Sequence, residues 1–194
     1  MRKLLLTTAA VAAICLAGCG SGTLTDKRDG QKYRTVVING KRWMAENLNY
    51  KTDSSWCYEN SADSGKKYGR LYDWNTATAA CPRGWHLPSN NEWTELYSFA
   101  AVSSKAYNAL KSKSGWDENG NGADDFGFSA LPGGFRSPDG SFGNAGSDGL
   151  WWTATESDSD SAYYRLIHYI GNCVYVAAHY KSRGRSVRCV AGIP

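Results

Sequence analysis

The sequence predicts an α+β fold in a single domain. Three observations carry that reading: a hairpin pattern over residues 31–48, helical periodicity in two segments between residues 71 and 101, and four strand-like segments from residue 150 onward. A glycine-rich stretch separates the helices from the last strands, and no internal repeat is found.

The chain opens with Arg2 and Lys3, an apolar run over residues 4–16, and then Leu16-Ala17-Gly18-Cys19. The run is too short for a spanning helix, which needs ~20 residues, and its flanks are those of a cleaved export signal. This opening resembles a bacterial lipoprotein signal. The resemblance implies that residues 1–18 are removed and that Cys19 is acylated on its sulfur and its new amino terminus. A membrane would then be a partner through lipid, and the protein would belong to the bacterial cell envelope. Gly20 is compatible with outer-membrane sorting. Residues 19–29 are small, polar and aperiodic and read as a lipidated flexible tether with a mean reach of ~17 Å. The folded domain is accordingly expected over residues 30–193.

Within it, residues 33–38 are β-rich, Asn39-Gly40 is the favoured two-residue type I′ turn, and residues 41–48 return. That register sets Val36 opposite Trp43, a stabilising cross-strand pair. Residues 71–81 look helical, with Leu71, Trp74, Thr78 and Cys81 on one face and Pro82 as the stop. Ser89 and Glu92 form a capping box for a second helix, whose core stripe is Trp93, Leu96, Tyr97, Ala100 and Ala101. A short third helix falls over residues 104–113. Residues 115–149 hold ten of the 21 glycines, with Pro132 and Pro138. A stretch of this length without periodicity is functional or disordered, and Trp116, Phe126, Phe128, Phe135 and Phe142 argue for ordered packing. Residues 150–156, 162–169, 173–181 and 186–191 read as strands, separated by Ser/Asp, Gly-Asn and Arg-Gly turn signals.

Removing Arg2 and Lys3 with the signal takes the basic residues from 22 to 20 against 18 acids, so the mature chain is near +2. Apart from residues 183–188 there is no basic cluster, and no electrostatic footprint for nucleic acid. Eight Trp, twelve Tyr and five Phe suit both a compact core and an extracellular binding platform. Cys15 leaves with the signal and Cys19 is the lipid site. Cys57, Cys81, Cys173 and Cys189 remain, an even set in an exported chain, which reads as two disulfides in any of three pairings.

Several ordered motifs resemble one family. They are Asp29-Gly30-Gln31, Trp43-Met44-Ala45-Glu46-Asn47-Leu48, Tyr68-Gly69-Arg70-Leu71-Tyr72-Asp73-Trp74, Cys81-Pro82-Arg83-Gly84-Trp85-His86-Leu87-Pro88, Glu92-Trp93, Gly127-Phe128-Ser129-Ala130-Leu131-Pro132-Gly133-Gly134 and Ser186-Val187-Arg188-Cys189-Val190. The family is the Fibrobacter succinogenes major paralogous domain, and the likeness runs from about Asp29 to Gly192. It is similar in pattern to the C-type-lectin-like fold, including the branch of the formylglycine-generating enzymes. The resemblance implies a single C-type-lectin-like domain in an exported, often lipid-anchored protein. It also implies that Cys81 bridges to Cys189, which leaves Cys57 for Cys173.

Asp117, Asn119, Asn121, Asp124 and Asp125 form the best candidate metal site. Their spacing matches the first half of an EF-hand loop, but the twelfth position is Phe128 where a bidentate Glu is required. Calcium is therefore a candidate in an irregular oxygen-rich loop, and the alternative is a series of Asx-turns bonding their own backbone. No other cofactor is called for. Asp158 and Asp160 are a weaker version. Ser137-Pro138-Asp139 lacks the first amide or carboxylate of a lectin triplet, so calcium-dependent sugar binding of that kind has no support. Stacking of sugar faces remains open to Trp116, Trp151 and Trp152, with Arg136 as a further ligand-binding candidate. Trp151 and Trp152 point to opposite faces of a strand, and Trp152 is expected inside.

Catalytic patterns are poor. Residues 127–131 lack the second glycine of a nucleophile elbow. His86, His168 and His179 have no metal spacing, and His86 reads as structural. A formylglycine-type enzyme needs a reactive cysteine pair. The expected function is a non-catalytic binding or adhesion module for polysaccharide or another surface protein. An enzyme on the formylglycine-generating scaffold and a purely structural envelope component are the alternatives.

Overall fold

Asn39 and Gly40 both take positive φ, 49° and 70°, the type I′ geometry that turns β2 (Lys32–Ile38) directly into β3 (Lys41–Met44). In a computed structural model describing residues 20–103, 106–170 and 174–192, this hairpin is the middle of a four-stranded sheet. Val36 lies opposite Trp43, as the turn requires. On the outer side β1 (Gly22–Thr25) pairs antiparallel with β2, Gly22 against Thr35 and Thr25 against Lys32. The flexible tether expected over residues 19–29 is thus corrected, and the folded domain starts by Gly22 rather than at residue 30. Four residues carry too little alternation to be read as a strand on their own. The turn behind β1 is locked by Asp26, which is buried. It accepts from Arg28 Nε and Nη2 at 2.9 and 2.6 Å, and Arg28 also donates to the Ala80 carbonyl.

The segment read as one helix over residues 71–81 divides at Asp73. Leu71 and Tyr72 form β5 (Leu71–Tyr72); then Asp73 accepts from the Thr76 N–H at 2.8 Å and starts α2 (Trp74–Ala80). Its buried face is Trp74, Ala77 and Ala80, and Thr78 points outward. Ahead of it, α1 (Ala62–Tyr68) was not foreseen; its Ser-Ala-Asp-Ser start lacks an apolar stripe, and Ser61 supplies the cap. The capping box forms as expected: the Ser89 N–H donates to Glu92 at 2.9 Å and the Glu92 N–H to Ser89 Oγ at 3.2 Å, opening α3 (Asn90–Ser103). Trp93, Leu96, Tyr97 and Ala100 are buried, while Ala101 is exposed. The third helix of the sequence reading is α4 (Ala106–Leu110).

A six-stranded sheet supplies the second layer. Its strands are β4 (Ser55–Trp56), β5, β8 (Asp148–Glu156), β9 (Ser161–His168), β10 (Tyr175–Tyr180) and β11 (Arg185–Ser186), in the order β10-β9-β8-β11-β5-β4. The glycine-rich stretch is ordered and contains a ribbon, β6 (Gly133–Arg136) with β7 (Phe142–Ala145). The last strand, expected over residues 186–191, is split between the sheets. Ser186 pairs parallel with Trp151 of β8, whereas β12 (Val190–Gly192) lies antiparallel to β3 at the edge of the other sheet. Val187, Arg188 and Cys189 make the crossing and are fully buried.

Because β8 has partners on both sides and cover on both faces, Trp151 and Trp152 are both 0% exposed. The alternation holds, but the expectation that only Trp152 lies inside does not. Trp151 joins a core with Trp43, Trp93 and Phe128; Trp152 joins one with Tyr72, Trp74 and Val187.

The bridge implied by the resemblance, Cys81–Cys189, is present and ties the end of α2 to the crossing. Cys57 follows β4 and carries a free thiol; Cys173, its expected partner, lies outside the described residues. Among the described residues no helix is long and apolar enough to cross a membrane.

Two outcomes are expected. Reducing the bridge, which spans 108 residues, should lower stability in urea titration by up to ~4.7 kcal/mol. Burial pushes the Glu92 carboxyl up, but the Ser89 N–H, His86 and Lys41 outweigh it and hold it below its ordinary value. Glu92 therefore stabilises the fold above its unfolded pKa, and that stabilisation is lost as pH falls through the lower folded value. Glu92→Gln should cost about 1 kcal/mol at neutral pH, with the difference from the native chain shrinking in acid.

Candidate functional site

Most of the side chains nominated from the sequence are occupied elsewhere. Trp116 is 5% exposed and donates from Nε1 to Ser112 Oγ and the Ala130 carbonyl; Trp151 donates from Nε1 to Asn47 Oδ1. Neither is a surface platform. The calcium candidates are not brought together. Asp117 accepts from Ser147, Asn121 from the Trp116 N–H, and Asp124 from both the N–H and the hydroxyl of Ser129. Glu118, Asn119 and Asp124 take positive φ, so the chain turns away between the nominated oxygens. Among the described residues no three acidic, histidine or cysteine side chains converge as a metal group would require. Asp158 accepts from the N–H groups of Asp160 and Ser161 within its own turn. His86 accepts a structural role beside Glu92 and pairs its backbone with Val190. Cys19 lies outside the described residues.

Arg136 is the nominated ligand residue that stays half-exposed. Its guanidinium stands 4.2 Å over the Trp56 ring and 6.0 Å from Phe142, which in turn packs on Tyr58. Its backbone exchanges two hydrogen bonds with Gly184, at 2.9 and 2.8 Å. The approach is close enough that a Cβ on Gly184 would meet Arg136 Cβ at 2.9 Å and Leu71 Cβ at 3.3 Å.

Gly184 is flanked by Arg183, in the bend that follows the turn at residues 181–182, and by Arg185, the first residue of β11. Arg183 stands 5.1 Å over Phe135, and Arg185 lies 3.5 Å over Tyr164 and 4.9 Å from Trp152. Arg185 is 1% exposed, yet its Nε and Nη1 have no hydrogen-bond partner, nor does the buried Nε of Arg183. The ion pairs among the described residues give neither arginine a carboxylate. Burial, with repulsion from Arg183, pushes the Arg185 guanidinium down to about 9, although Tyr164 and Asp148 favour its charge. Burial and the two arginines also lower His179. Half-buried Tyr164 and Arg183 thus neighbour a desolvated cation with unused donors, and Arg183 in turn stands over half-buried Phe135.

A second buried arginine shows the contrast. Arg188 is 0% exposed and also lacks a carboxylate, but its nitrogens donate to Asn47 Oδ1 and to the Phe128 and Ser129 carbonyls. One guanidinium is saturated and the other is not. A buried group left unpaired costs free energy unless something else meets it. The unpaired guanidinium nitrogens of Arg183 and Arg185 are the donors that an oxyanion accepts from in pairs. The sequence showed these residues only as part of a basic run; their Arg-Gly-Arg spacing was the available signal.

Arg185→Met should leave thermal stability unchanged or raise it by about 1–2 kcal/mol, because an apolar side chain of similar volume replaces an unpaired charge. Arg188→Met should cost about 3–5 kcal/mol, since it strands the acceptors that converge there. Thermal unfolding of the two variants side by side checks both.

No curated protein matches the chain. Residues 36–191, from β2 to β12, match the model of the Fibrobacter succinogenes major domain, with the capping box, the Asn47 segment and the Cys81–Cys189 bridge all inside the matched span. The chain belongs to the Fibrobacter succinogenes major domain family.

Proposed function

We propose that this chain is a bacterial envelope lipoprotein, cleaved ahead of Cys19 and acylated there, whose C-type-lectin-like domain binds acidic polysaccharide without catalysis. One observation carries the binding reading: Arg185 is buried with two donor nitrogens unused, between Tyr164 and Trp152 and near a second arginine that stands over Phe135. A uronate or sulfated sugar offers both features such a site needs, an oxyanion for paired guanidinium donors and a flat ring face for stacking. The bridge from the end of α2 to the segment before β12 supports the lectin-like assignment, being the pairing that the resemblance implies. Against an enzyme of the formylglycine-generating type stands the use of Cys81 and Cys189 in that bridge, which leaves Cys57 without a paired thiol among the described residues.

The test is retention of the protein on immobilised polygalacturonate, a sulfated glucan and a neutral glucan. Binding is expected on the acidic polymers, weakening as salt rises and unchanged by chelator. A charge-assisted hydrogen bond is worth about 1.5–3 kcal/mol, so Arg183→Ala and Arg185→Met should each weaken binding by roughly 10- to 100-fold. Equal retention on the neutral polymer, or full retention by both variants, would overturn the reading.

A further inference from the structure

The lipid end of the chain and its first strand are almost adjacent. Between Cys19 and Gly22, where pairing with β2 begins, stand only Gly20 and Ser21. Three extended steps span at most roughly 11 Å. The headgroup layer of one leaflet is itself ~5–8 Å deep. We propose that the domain rests flush on the bilayer, with the β1 edge of the four-stranded sheet set against the phospholipid headgroups. This inference depends on the acylation of Cys19 proposed above.

The surface around β1 fits that placement. Two hollows, about 560 and 450 Å³, border the strand. The first is lined by Arg34 and Phe126, the second by Arg42 and Trp85, and Thr35 lies in the wall of both. Thr35 is 1% exposed and its Oγ1 has no hydrogen-bond partner. Arg34 is engaged with Glu46 at 3.4 Å, whereas Arg42 has no ion pair among the described residues and reaches across to Gly22. An arginine beside an aromatic ring is the pairing that settles at a headgroup boundary, where the cation meets phosphate and the ring stays at the apolar margin. As an edge strand, β1 also presents backbone groups outward, and hydrated headgroups satisfy them without risking pairing between proteins.

Acylated full-length protein is reconstituted into vesicles of phosphatidylethanolamine and phosphatidylglycerol, with benzoylphenylalanine at exposed Thr23 or, for comparison, at exposed Asp139. Irradiation should cross-link lipid from Thr23 at about tenfold the yield from Asp139, because the anchor holds that position at a high effective concentration of headgroups. A Gly/Ser spacer of about ten residues inserted after Gly20, with a mean reach of ~17 Å, should bring the yield from Thr23 down to that from Asp139. Equal yields at the two positions, or a Thr23 yield that the spacer leaves unchanged, in protein whose mass shows the acyl chains, overturns the inference alone. Protein recovered with Met1 intact and without acyl mass overturns the lipidation reading together with it.

Discussion

Asn47 Oδ1 accepts hydrogen bonds from three nitrogens, Trp151 Nε1 at 2.9 Å and Arg188 Nε and Nη2 at 3.1 and 2.8 Å. Its amide nitrogen donates to the Tyr68 carbonyl. One buried side chain thereby joins the segment after the first sheet's hairpin, the end of α1, the centre of the second sheet and the crossing between the sheets, and Arg188 carries the network on to the Phe128 and Ser129 carbonyls. In a region of low dielectric these bonds are strong together and costly to break singly. Beside this network the rings of Trp43, Trp93, Phe128 and Trp151 pack against one another.

This explains which parts of the fold were legible. The hairpin, the capping box and the α3 stripe are local rules, satisfied within a few residues, and the chain obeys them. Residues whose position is decided by distant partners were not readable. Leu71 and Tyr72 look helical by spacing, but pairing with β4 and β11 draws them into a strand. Trp116 and Trp151 look like surface platforms beside glycine-rich loops, yet indole N–H groups need buried acceptors, and those acceptors come from residues 112, 130 and 47. The motifs by which the family is recognised, Met44-Ala45-Glu46-Asn47, Gly127-Phe128-Ser129 and Ser186-Val187-Arg188, converge on the Asn47 network. They report the scaffold and say little about ligands. The candidate site was only partly visible: Arg136 was named, while Arg183 and Arg185 became distinct only through their unpaired buried nitrogens.

The two buried arginines frame how stability and binding are divided in this domain. Arg188 spends its donors internally and gives rigidity. Arg185 is stacked on Tyr164 and Trp152 but keeps donors unused, a local loss that the surrounding aromatic packing tolerates. Sites arranged for recognition commonly carry such a loss.

The four-stranded sheet has the first strand of the domain at one edge and the last at the other, in the order β1-β2-β3-β12. A polypeptide that emerges amino end first cannot finish this layer until its final residues appear. Native pairing of Val190 with Trp43 spans nearly the entire domain, and such distant contacts form slowly. The emerging segments must therefore wait with their aromatic faces uncovered, and sulfur chemistry at Cys81 has to remain open for a partner that arrives last. Shielding of the waiting aromatic faces and late thiol–disulfide exchange at Cys81 are what this topology calls for.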